Sequence, residues 1–389
     1  MTEFRFIEPI DNLYLRGNKL FGDPGAHGES LMPPWPSIVA GSLRSFLLAS
    51  FGEDPKAFGL GKTALRSPLN SVLGTPDVPG TFRVSMFTVG SRSGDTTSIY
   101  FPLPADIAIE ERENDIWANF MQPMKKPSSI QGSYPFLKIP ILKVDGPFKP
   151  KTAFWLTAEG LGAYMEGSIP NGHLLVRQEN LWLSDQRLGI ALDSNKRTAA
   201  TGRIYTAETI AMAQDHGFVV GIEGENGLLP DNGLLRFGGD GRGAAFFKCR
   251  PKLPQPPWER IKKEKRFRMI MATPGIFKDG WLIPGARMER GKIIWDWIDL
   301  RAEISAAAVR RFEVISGWDL AREKPKRALR VVPTGSVYWM ENLEGNIDSL
   351  HRLLEEGLWK EGDPWELARR AEGFNNIWIA SWMRDKQEP

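Results

Sequence analysis

The chain has 389 residues, 42% of them hydrophobic and 25% charged, with 14 Trp, 29 Pro and 39 Gly. This length exceeds a usual single core and predicts two domains, or one domain with large insertions, while the proline and glycine content disfavours a helical bundle. The 50 basic residues barely exceed the 47 acidic ones, so the net charge of +3 gives only weak support for a polyanionic partner.

The first predicted elements are a strand, a loop and a long helix. TEFRFIEPIDNLYLRG predicts a strand that ends in a loop at Gly17. After a loop rich in glycine and proline, PSIVAGSLRSFLLASFG predicts a helix, with Pro36 in its first turn and Gly52 at its end. The apolar residues of this helix recur at helical spacing, which predicts that one face packs on a sheet.

Residues 53–172 are punctuated by proline and only weakly periodic, so we interpret them as an insertion. Strands are predicted around 82–89, 98–103 and 154–156. The segment MQPMKKPSSIQG, residues 121–132, is typical of a cationic loop, with disorder as the alternative.

A hairpin and a glycine-rich loop follow. Residues 181–192 and 202–212 predict two strands joined by a basic tip, SNKRTAAT, and residues 218–224 predict a buried strand. NGLLR predicts a short helical or turn element, and FGGDGRG then leads into the strand-like AAFFKC. The order of elements up to residue 250 is that of a βαββαβ fold with insertions.

A second series of elements occupies residues 251–389. RFRMIMATPGIF, WLIPGARME, KIIWDWIDL and ALRVVPTGSVYWME predict strands, and GNIDSLHRLLEEGLWKEG predicts a helix capped by Asn346 or Asp348 and ended near Gly357 or Gly362. These elements predict a second α/β domain. Basic residues cluster at 260–268 and 322–330, which indicates either a polarised surface or ordinary solvated faces.

The loop FGGDGRG admits three interpretations: a nucleotide cradle, a grip on RNA, or a turn. It lacks the GK[ST] of a Walker A motif and leads into a strand instead of opening a helix, which excludes the two common nucleotide motifs. Its glycines would let a phosphodiester approach the backbone amides, and Arg242 offers a forked donor. A loop of this kind, taken alone, is more often a turn that allows close packing.

No catalytic constellation is visible. The four histidines lack metal-ligand spacing, the aspartates of the turns form no DxD cluster, and no GxSxG elbow occurs. The single cysteine, Cys249, excludes an intramolecular disulfide and suits a reducing cytoplasm. With neither a leader peptide nor ~20 consecutive apolar residues, the sequence predicts a soluble cytoplasmic protein with no membrane partner, no metal and no cofactor.

Four groups of segments together resemble a known family. They are LYLRGNKLFG…SLMPPWPSIVAGSLRSFLL, RLGIALDSNKRTAATGRIYTAE, LRFGGDGRGAAFF, and the pair TPGIFKDGWLIP and RVVPTGSVYW. Their order resembles the third Cmr subunit of type III-B CRISPR effector complexes, a member of the RAMP superfamily, over almost the full chain.

This resemblance implies an α+β fold of two ferredoxin-like (RRM-like) βαββαβ domains with long insertions: residues 1–250, with an insertion around 53–172, and residues 251–389. It also implies a non-catalytic subunit in antiviral defence. That subunit holds the 5′ tag of the crRNA and joins the large polymerase/cyclase-type Cmr subunit to the backbone Cmr subunit. The alternative is a metal-independent endoribonuclease that processes the CRISPR precursor RNA with His27 as acid and base.

The resemblance also implies a set of RNA-binding residues. They are Ser37 and Arg44 of the first helix, Arg187, Lys196 and Arg197 of the hairpin, and Gly238, Gly239, Gly241, Arg242 and Gly243 of the glycine loop. Apart from the resemblance, Arg16 and Lys19 flank the first loop and complete the set, and Phe21 and Trp35 offer stacking faces, with a core anchor as the alternative for Trp35. Because no RNP-type aromatic run occurs, we expect recognition by loops and helix ends instead of a sheet face.

Overall fold

The computed structural model describes residues 2–17, 27–28, 30–112, 115–129, 135–144, 146–147, 149–192, 198–359 and 364–382. Within this part of the chain the helices are α1 (Pro36–Ser50), α2 (Pro55–Gly59), α3 (Leu69–Leu73), α4 (Ala158–Met165), α5 (Trp258–Glu264), α6 (Ile347–Glu356) and α7 (Pro364–Ala371). The strands of the first 250 residues are β1 (Glu3–Pro9), β2 (His27–Gly28), β3 (Arg83–Ser93), β4 (Thr96–Pro102), β5 (Ile107–Arg112), β6 (Asp115–Lys125), β7 (Lys138–Leu142), β8 (Phe154–Thr157), β9 (Leu175–Arg177), β10 (Trp182–Leu192), β11 (Ala199–Met212), β12 (His216–Glu223), β13 (Asn232–Arg236) and β14 (Gly243–Cys249). Those that follow are β15 (Phe267–Met271), β16 (Ala286–Glu289), β17 (Lys292–Trp297), β18 (Leu300–Ala308), β19 (Glu313–Ile315), β20 (Trp318–Asp319), β21 (Lys324–Pro325), β22 (Leu329–Val331), β23 (Val337–Glu344) and β24 (Ile377–Ala380).

The chain divides into two compact units. Unit 1 comprises Met1–Thr97, Gln178–Arg250 and Val314–Leu329, and unit 2 comprises Ser98–Arg177, Pro251–Glu313 and Arg330–Pro389. The described sheets are mostly antiparallel, with few helices, as the predicted α+β class requires. The predicted ferredoxin-like domains at 1–250 and 251–389, with an insertion around 53–172, stay a prediction, because compactness alone does not test a repeated topology.

Unit 1 is built on antiparallel strands in the order β13-β14-β1-β12-β3. Helix α1 packs on these strands, and the Phe46 ring meets the Phe246 ring edge-on at 5.1 Å between centroids. Val39, Leu43 and Leu47 of α1 are fully buried. The same unit contains the antiparallel pair β10-β11, with β2 added in parallel to β11.

Local signals explain where α1 begins and ends. Pro36 is its first residue, where the missing N–H costs no hydrogen bond, and Gly52 follows its last turn with a φ of 75°. The predicted helix over these residues is therefore confirmed.

Unit 2 has its main sheet in the order β16-β17-β18-β23-β15-β24, packed by a core that includes Trp295, Trp297 and Met340. Strands β4, β8 and β9 pair in that order in the same unit, and β5-β6-β7 form a three-stranded sheet. Helix α6 is capped at its N-terminus by Asn346, whose side chain accepts from the Asp348 amide at 3.1 Å, and at its C-terminus by Gly357. Both ends match the sequence prediction.

Two predicted elements differ in the structure. NGLLR is strand β13 instead of a helical or turn element, because it pairs along its whole length with β14 and buries Leu235. Residues 121–125, predicted as loop, continue β6 and pair with β7, with Pro123 opposite Pro140. Residues 121–125 of β6 pair with β7 and lie beyond the β5 pairing, which involves residues 115–120. Pro123 therefore lies where β6 is an edge strand of the described sheet, a position that tolerates the missing N–H of proline.

Candidate RNA-binding site

The glycine loop (residues 238–243) connects β13 to β14 in unit 1. Gly238, Asp240 and Gly241 have positive φ angles of 82°, 61° and 65°. A Cβ on Gly238 would lie 2.7 Å from the Tyr14 carbonyl oxygen, whereas a Cβ on Gly241 would meet nothing within 4 Å. Position 238 therefore requires glycine for conformation and for packing, and position 241 for conformation alone. The turn interpretation accounts for both glycines.

Backbone hydrogen bonds hold the glycine loop against the residues that follow β1, which we call the Asp11 segment (residues 10–16). The Gly239 amide donates to the Tyr14 carbonyl at 2.8 Å. The Ile10 amide donates to the Gly243 carbonyl at 3.1 Å. The loop is thus fixed at two points to a segment far from it in sequence.

The tip of the loop combines backbone donors with one arginine. The amides of Asp240 and Gly241, both exposed, donate to no residue within the described ranges. The Arg242 guanidinium donates to the Asp11 carboxylate and lies 5.3 Å from the centroid of the Tyr14 ring. Its side chain is 24% exposed. A phosphate at the tip would meet backbone donors next to a half-buried guanidinium.

The β10-β11 hairpin contacts the same Asp11 segment. Leu13 and Ile210 exchange two backbone hydrogen bonds, of 2.8 and 2.9 Å. The Asn12 side-chain amide donates to Asp185 at 2.8 Å, and Asp185 also accepts from the Arg187 Nε at 2.9 Å. Arg187 is therefore joined to the Asp11 segment through a shared carboxylate.

A second set of hydrogen bonds fixes the backbone around Arg16. Arg16 forms an antiparallel bridge with Ser30. The Ser30 amide donates to the Glu208 carboxylate at 2.8 Å, and the Ser30 hydroxyl donates to the Glu208 carbonyl at 2.6 Å. The Ser184 hydroxyl also donates to the Glu208 carboxylate. Strands β10 and β11 therefore support the end of the Asp11 segment.

The glycine-loop junction is the place where the glycine loop, the Asp11 segment and the base of the β10-β11 hairpin meet. Positively and negatively charged side chains alternate across it. The Asn12 amide hydrogen bond lowers the pKa of Asp11, and the positive charges of Arg242 and Arg187 lower it further. The hydrogen bond from Arg187 to Asp185 raises the pKa of Arg187. Asp11 is therefore ionised at neutral pH, and an incoming phosphate would compete with carboxylates for these two arginines.

The structure brings several predicted site residues together. The junction contains three of the predicted arginines and four of the predicted glycines: Arg16, Arg187, Arg242, Gly238, Gly239, Gly241 and Gly243. A Cβ on Gly239 would lie 4.0 Å from the Arg16 Nε, so the exposed Arg16 side chain lies beside the loop. Lys19, Lys196 and Arg197 lie outside the described residues, as does Phe21.

Ser37 and Arg44 lie on a different element, helix α1. At positions i, i+4 and i+7, Ser37, Gly41 and Arg44 share the polar side of the helix, beside the buried stripe of Val39, Leu43 and Leu47. Gly41 is exposed, and a Cβ there would meet nothing within 4 Å. The prediction that these residues contact RNA stays a prediction.

The N-cap of α1 is Trp35, one of the two predicted stacking faces for bases. Trp35 is only 6% exposed, and its buried indole N–H has no hydrogen-bond partner among the described residues. Trp35 is therefore a core anchor, the alternative interpretation of this residue.

Sequence reasoning missed the acidic and neutral partners of the junction: Asp11, Asn12, Tyr14, Asp185 and Glu208. The only sequence signal was the polar pair Asp11-Asn12 directly after a strand, which predicts a turn and nothing about its partners. Asp11 lies 231 residues from Arg242, so the pair depends on the fold.

The predicted alternative site at His27 lies on strand β2, where the His27 backbone is paired in register with Thr206. Across the described residues, no group of three or more His, Cys, Asp or Glu side chains is placed to hold a metal ion. None of the described helices has the length and apolar character needed to cross a bilayer.

The family assignment rests on nearly the whole chain. The CRISPR-associated protein (Cas_Cmr3) family matches residues 5–382. The chain belongs to this family. The resemblance to the third Cmr subunit of type III-B complexes, drawn from the order of the four groups of segments, is thereby confirmed. Comparison with curated proteins found no match.

Two solved structures are similar to this Cas_Cmr3 chain in fold. One is a chain of "Type III-B Cmr-beta bound to cognate target RNA and AMPPnP, state 1", with 15% identity and a TM-score of 0.52, covering 96% of this chain and 95% of that chain. The other is a chain of "Type III-B Cmr-beta bound to cognate target RNA", with 16% identity and a TM-score of 0.51, covering 96% of each. At 15% and 16% identity, the similarity shows that the two chains share the fold of this one.

Proposed function

We propose that this Cas_Cmr3 protein is a non-catalytic, RNA-binding subunit of a cytoplasmic type III-B CRISPR effector complex. In this proposal it holds the 5′ tag of the crRNA at the junction of the glycine loop, the Asp11 segment and the base of the β10-β11 hairpin. It joins the large polymerase/cyclase-type subunit to the backbone subunit, and its architecture is that of two ferredoxin-like domains with insertions.

The observation that carries this proposal is the convergence of three segments that are distant in sequence. Arg16, Arg187 and Arg242 lie at one junction, next to the exposed amides of Asp240 and Gly241. Positive groups combined with backbone amides are what holds the phosphates of a single-stranded RNA. Family membership and the fold of chains in RNA-bound Cmr complexes support the same assignment.

The acidic partners suggest how specificity for RNA arises. In the free protein, Asp11 accepts a hydrogen bond from Arg242 and Asp185 accepts one from Arg187. A ligand that displaces these carboxylates must therefore offer more than a single negative charge. A chain of phosphates that also reaches the tip amides meets this requirement, whereas a small anion at one arginine does not. The junction is therefore suited to a polyanion of defined path.

The direct test is a titration of the purified chain with guide RNA that carries either an intact or a scrambled 5′ tag, at several salt concentrations. RNA length is followed in the same samples. We expect tighter binding of the intact tag and no shortening of the RNA. Arg242→Ala should weaken tag binding on the order of tenfold and reduce the salt slope by about 0.7, as expected for one lost phosphate contact.

Arg236 provides the matched control because it is an exposed arginine on β13, the strand that leads into the glycine loop. Arg236→Ala should leave the preference for the intact tag unchanged. Equal losses in both variants would indicate a general charge effect and would contradict the proposal. Metal-independent shortening of the RNA that disappears in His27→Ala would replace it with the endoribonuclease alternative.

Asp11→Asn separates two roles of Arg242. If Arg242 contacts phosphate, removal of the competing carboxylate should leave tag affinity equal or tighter, since the guanidinium is released to the ligand. If Arg242 only fastens the loop, Asp11→Asn should weaken binding as much as Arg242→Ala does. The second result would reassign Arg242 from ligand binding to loop support.

A further inference from the structure

A second surface of unit 1 combines an exposed aromatic ring with cations. It is the Trp318 hairpin (residues 316–327), which contains β20 and β21 and part of the basic cluster at 322–330. The Trp318 side chain is 51% exposed. Within the hairpin four basic residues stand against two acidic ones, and all four basic residues are exposed: Arg322, Lys324, Lys326 and Arg327.

The hairpin has an ordered internal structure. Trp318 pairs with Pro325 across the two strands, and the Ser316 hydroxyl donates to the Lys326 carbonyl at 2.8 Å. The Lys326 amide donates to the Gly317 carbonyl at 2.9 Å. The indole is therefore presented on a paired backbone instead of a loose loop.

Helix α2 of the same unit supports the turn of the hairpin. A Cβ on Gly59 would lie 2.7 Å from the Cβ of Ala321, so the helix end and the turn are in close contact. Lys56 forms an ion pair with Glu323 at 2.7 Å. The hairpin thus has a fixed place on unit 1.

The acidic residues of the hairpin are both engaged with other cations. Asp319 pairs with Arg322 at 3.1 Å, and Glu323 pairs with Lys56. Lys324 lies directly across from Asp319, on the face of the pair opposite Trp318, whereas the exposed Arg327 follows two residues after Pro325 and is the cation placed for the Trp318 face. A positive surface with an exposed aromatic ring is the combination that binds single-stranded nucleic acid, because every base has a face that can stack.

We propose that the Trp318 hairpin is a second binding site for single-stranded nucleic acid, in which a base stacks on Trp318 and the adjacent phosphate meets Arg327. This site does not share residues with the glycine-loop junction. It does not depend on tag recognition, and it accepts any unpaired sequence because stacking and phosphate contacts carry no sequence information.

The test uses the full chain and a fluorescently labelled oligouridine of about 12 nucleotides, a length within the range that single-strand binding folds cover. Trp318→Ala should weaken binding about tenfold at unchanged salt slope, whereas Trp318→Phe should restore most of the affinity. Arg327→Gln should lower the salt slope by about 0.7, the value for one lost phosphate contact.

Trp117 is the matched aromatic control, because it is also 51% exposed but lies opposite Glu110 in an acidic segment. Trp117→Ala should leave oligouridine affinity unchanged. Lys262→Gln combined with Lys263→Gln, on exposed positions of α5, tests whether any basic cluster suffices. The proposal is overturned if Trp318→Ala has no effect, as for a protein-docking hairpin, or if the α5 pair lowers the slope as much.

The two RNA proposals fail independently. Arg242→Ala should reduce the preference for the intact tag over the scrambled tag, and Trp318→Ala should weaken oligouridine binding while leaving that preference unchanged. Loss of both activities in both variants would show that the RNA occupies one continuous path, which contradicts a second, separate site.

Discussion

Each compact unit contains an arginine held by an aspartate, but the two pairs lie in opposite surroundings. In unit 2 the Arg268 Nη1 lies 2.6 Å from the Asp106 carboxylate, with both side chains fully buried. In unit 1 the Asp11 partner of Arg242 is 55% exposed. Breaking the buried pair would destabilise the fold, whereas the exposed pair can exchange its carboxylate for a ligand with little loss in the free energy of unfolding.

Further hydrogen bonds hold both members of the buried pair. Arg268 also donates to the carbonyls of Ser381 and Tyr164, at 2.9 Å each, and its guanidinium lies 4.0 Å from the Tyr164 ring centroid. The Tyr164 hydroxyl donates to Asp106 at 2.9 Å. Burial raises the pKa of Tyr164, which keeps this donor protonated, and burial also raises the pKa of Asp106 against the opposing charge of Arg268.

The largest effect is expected from removal of one partner of the buried pair. Arg268→Met leaves the Asp106 carboxylate buried without a counter-charge, which should reduce the free energy of unfolding by about 3–5 kcal/mol. Thermal unfolding of the full chain, followed by circular dichroism, measures this change. The double variant Arg268→Met with Asp106→Leu should recover part of the loss. An unchanged thermal midpoint in the single variant would show that the fold does not depend on this pair.

An intermediate effect is expected from the glycine loop. Gly238→Ala combines a positive φ with a clash against the Tyr14 carbonyl, whereas Gly241→Ala has only the positive φ. We expect a loss of about 1–2 kcal/mol for Gly241→Ala and a larger one for Gly238→Ala. Urea titration of both variants gives the comparison. Equal losses would indicate that the contact with Tyr14 relaxes without cost.

The smallest effect on stability is expected at the exposed pair. Arg242→Gln should leave the thermal midpoint close to that of the unaltered protein, since solvent and the remaining loop hydrogen bonds compensate for the lost contact. The same preparation should show weakened binding of tagged guide RNA. A large drop in the midpoint would mean that Arg242, like Arg268, holds the fold together.

Local signals made some elements predictable from sequence. Helix α1 carries Pro36 at its start and Gly52 after its end, and α6 carries Asn346 and Gly357 at the corresponding places. Each signal acts through bonds to the nearest turn, so it works without knowledge of the fold. The strands predicted over 181–192 and 202–212 correspond to β10 and β11, which pair with each other.

Elements and contacts that depend on distant partners were not predictable. Strand β13 looked helical because its pairing with β14 and the burial of Leu235 come from the sheet, not from the five residues themselves. The family resemblance pointed to Arg187 and Arg242, since these residues occur in matching segments. It did not bring out Asp11 or Asp185, whose contacts with Arg242 and Asn12 exist only after folding.

The Asp11 segment makes the loop and the hairpin one cooperative unit. Leu13 exchanges its backbone hydrogen bonds with Ile210 of β11, and the next carbonyl, that of Tyr14, accepts from Gly239 of the glycine loop. Displacement of this short segment breaks both connections at once. The amides of Leu13, Ile210 and Gly239 should therefore exchange with solvent deuterium at a common rate, and a ligand that protects one of them should protect all three.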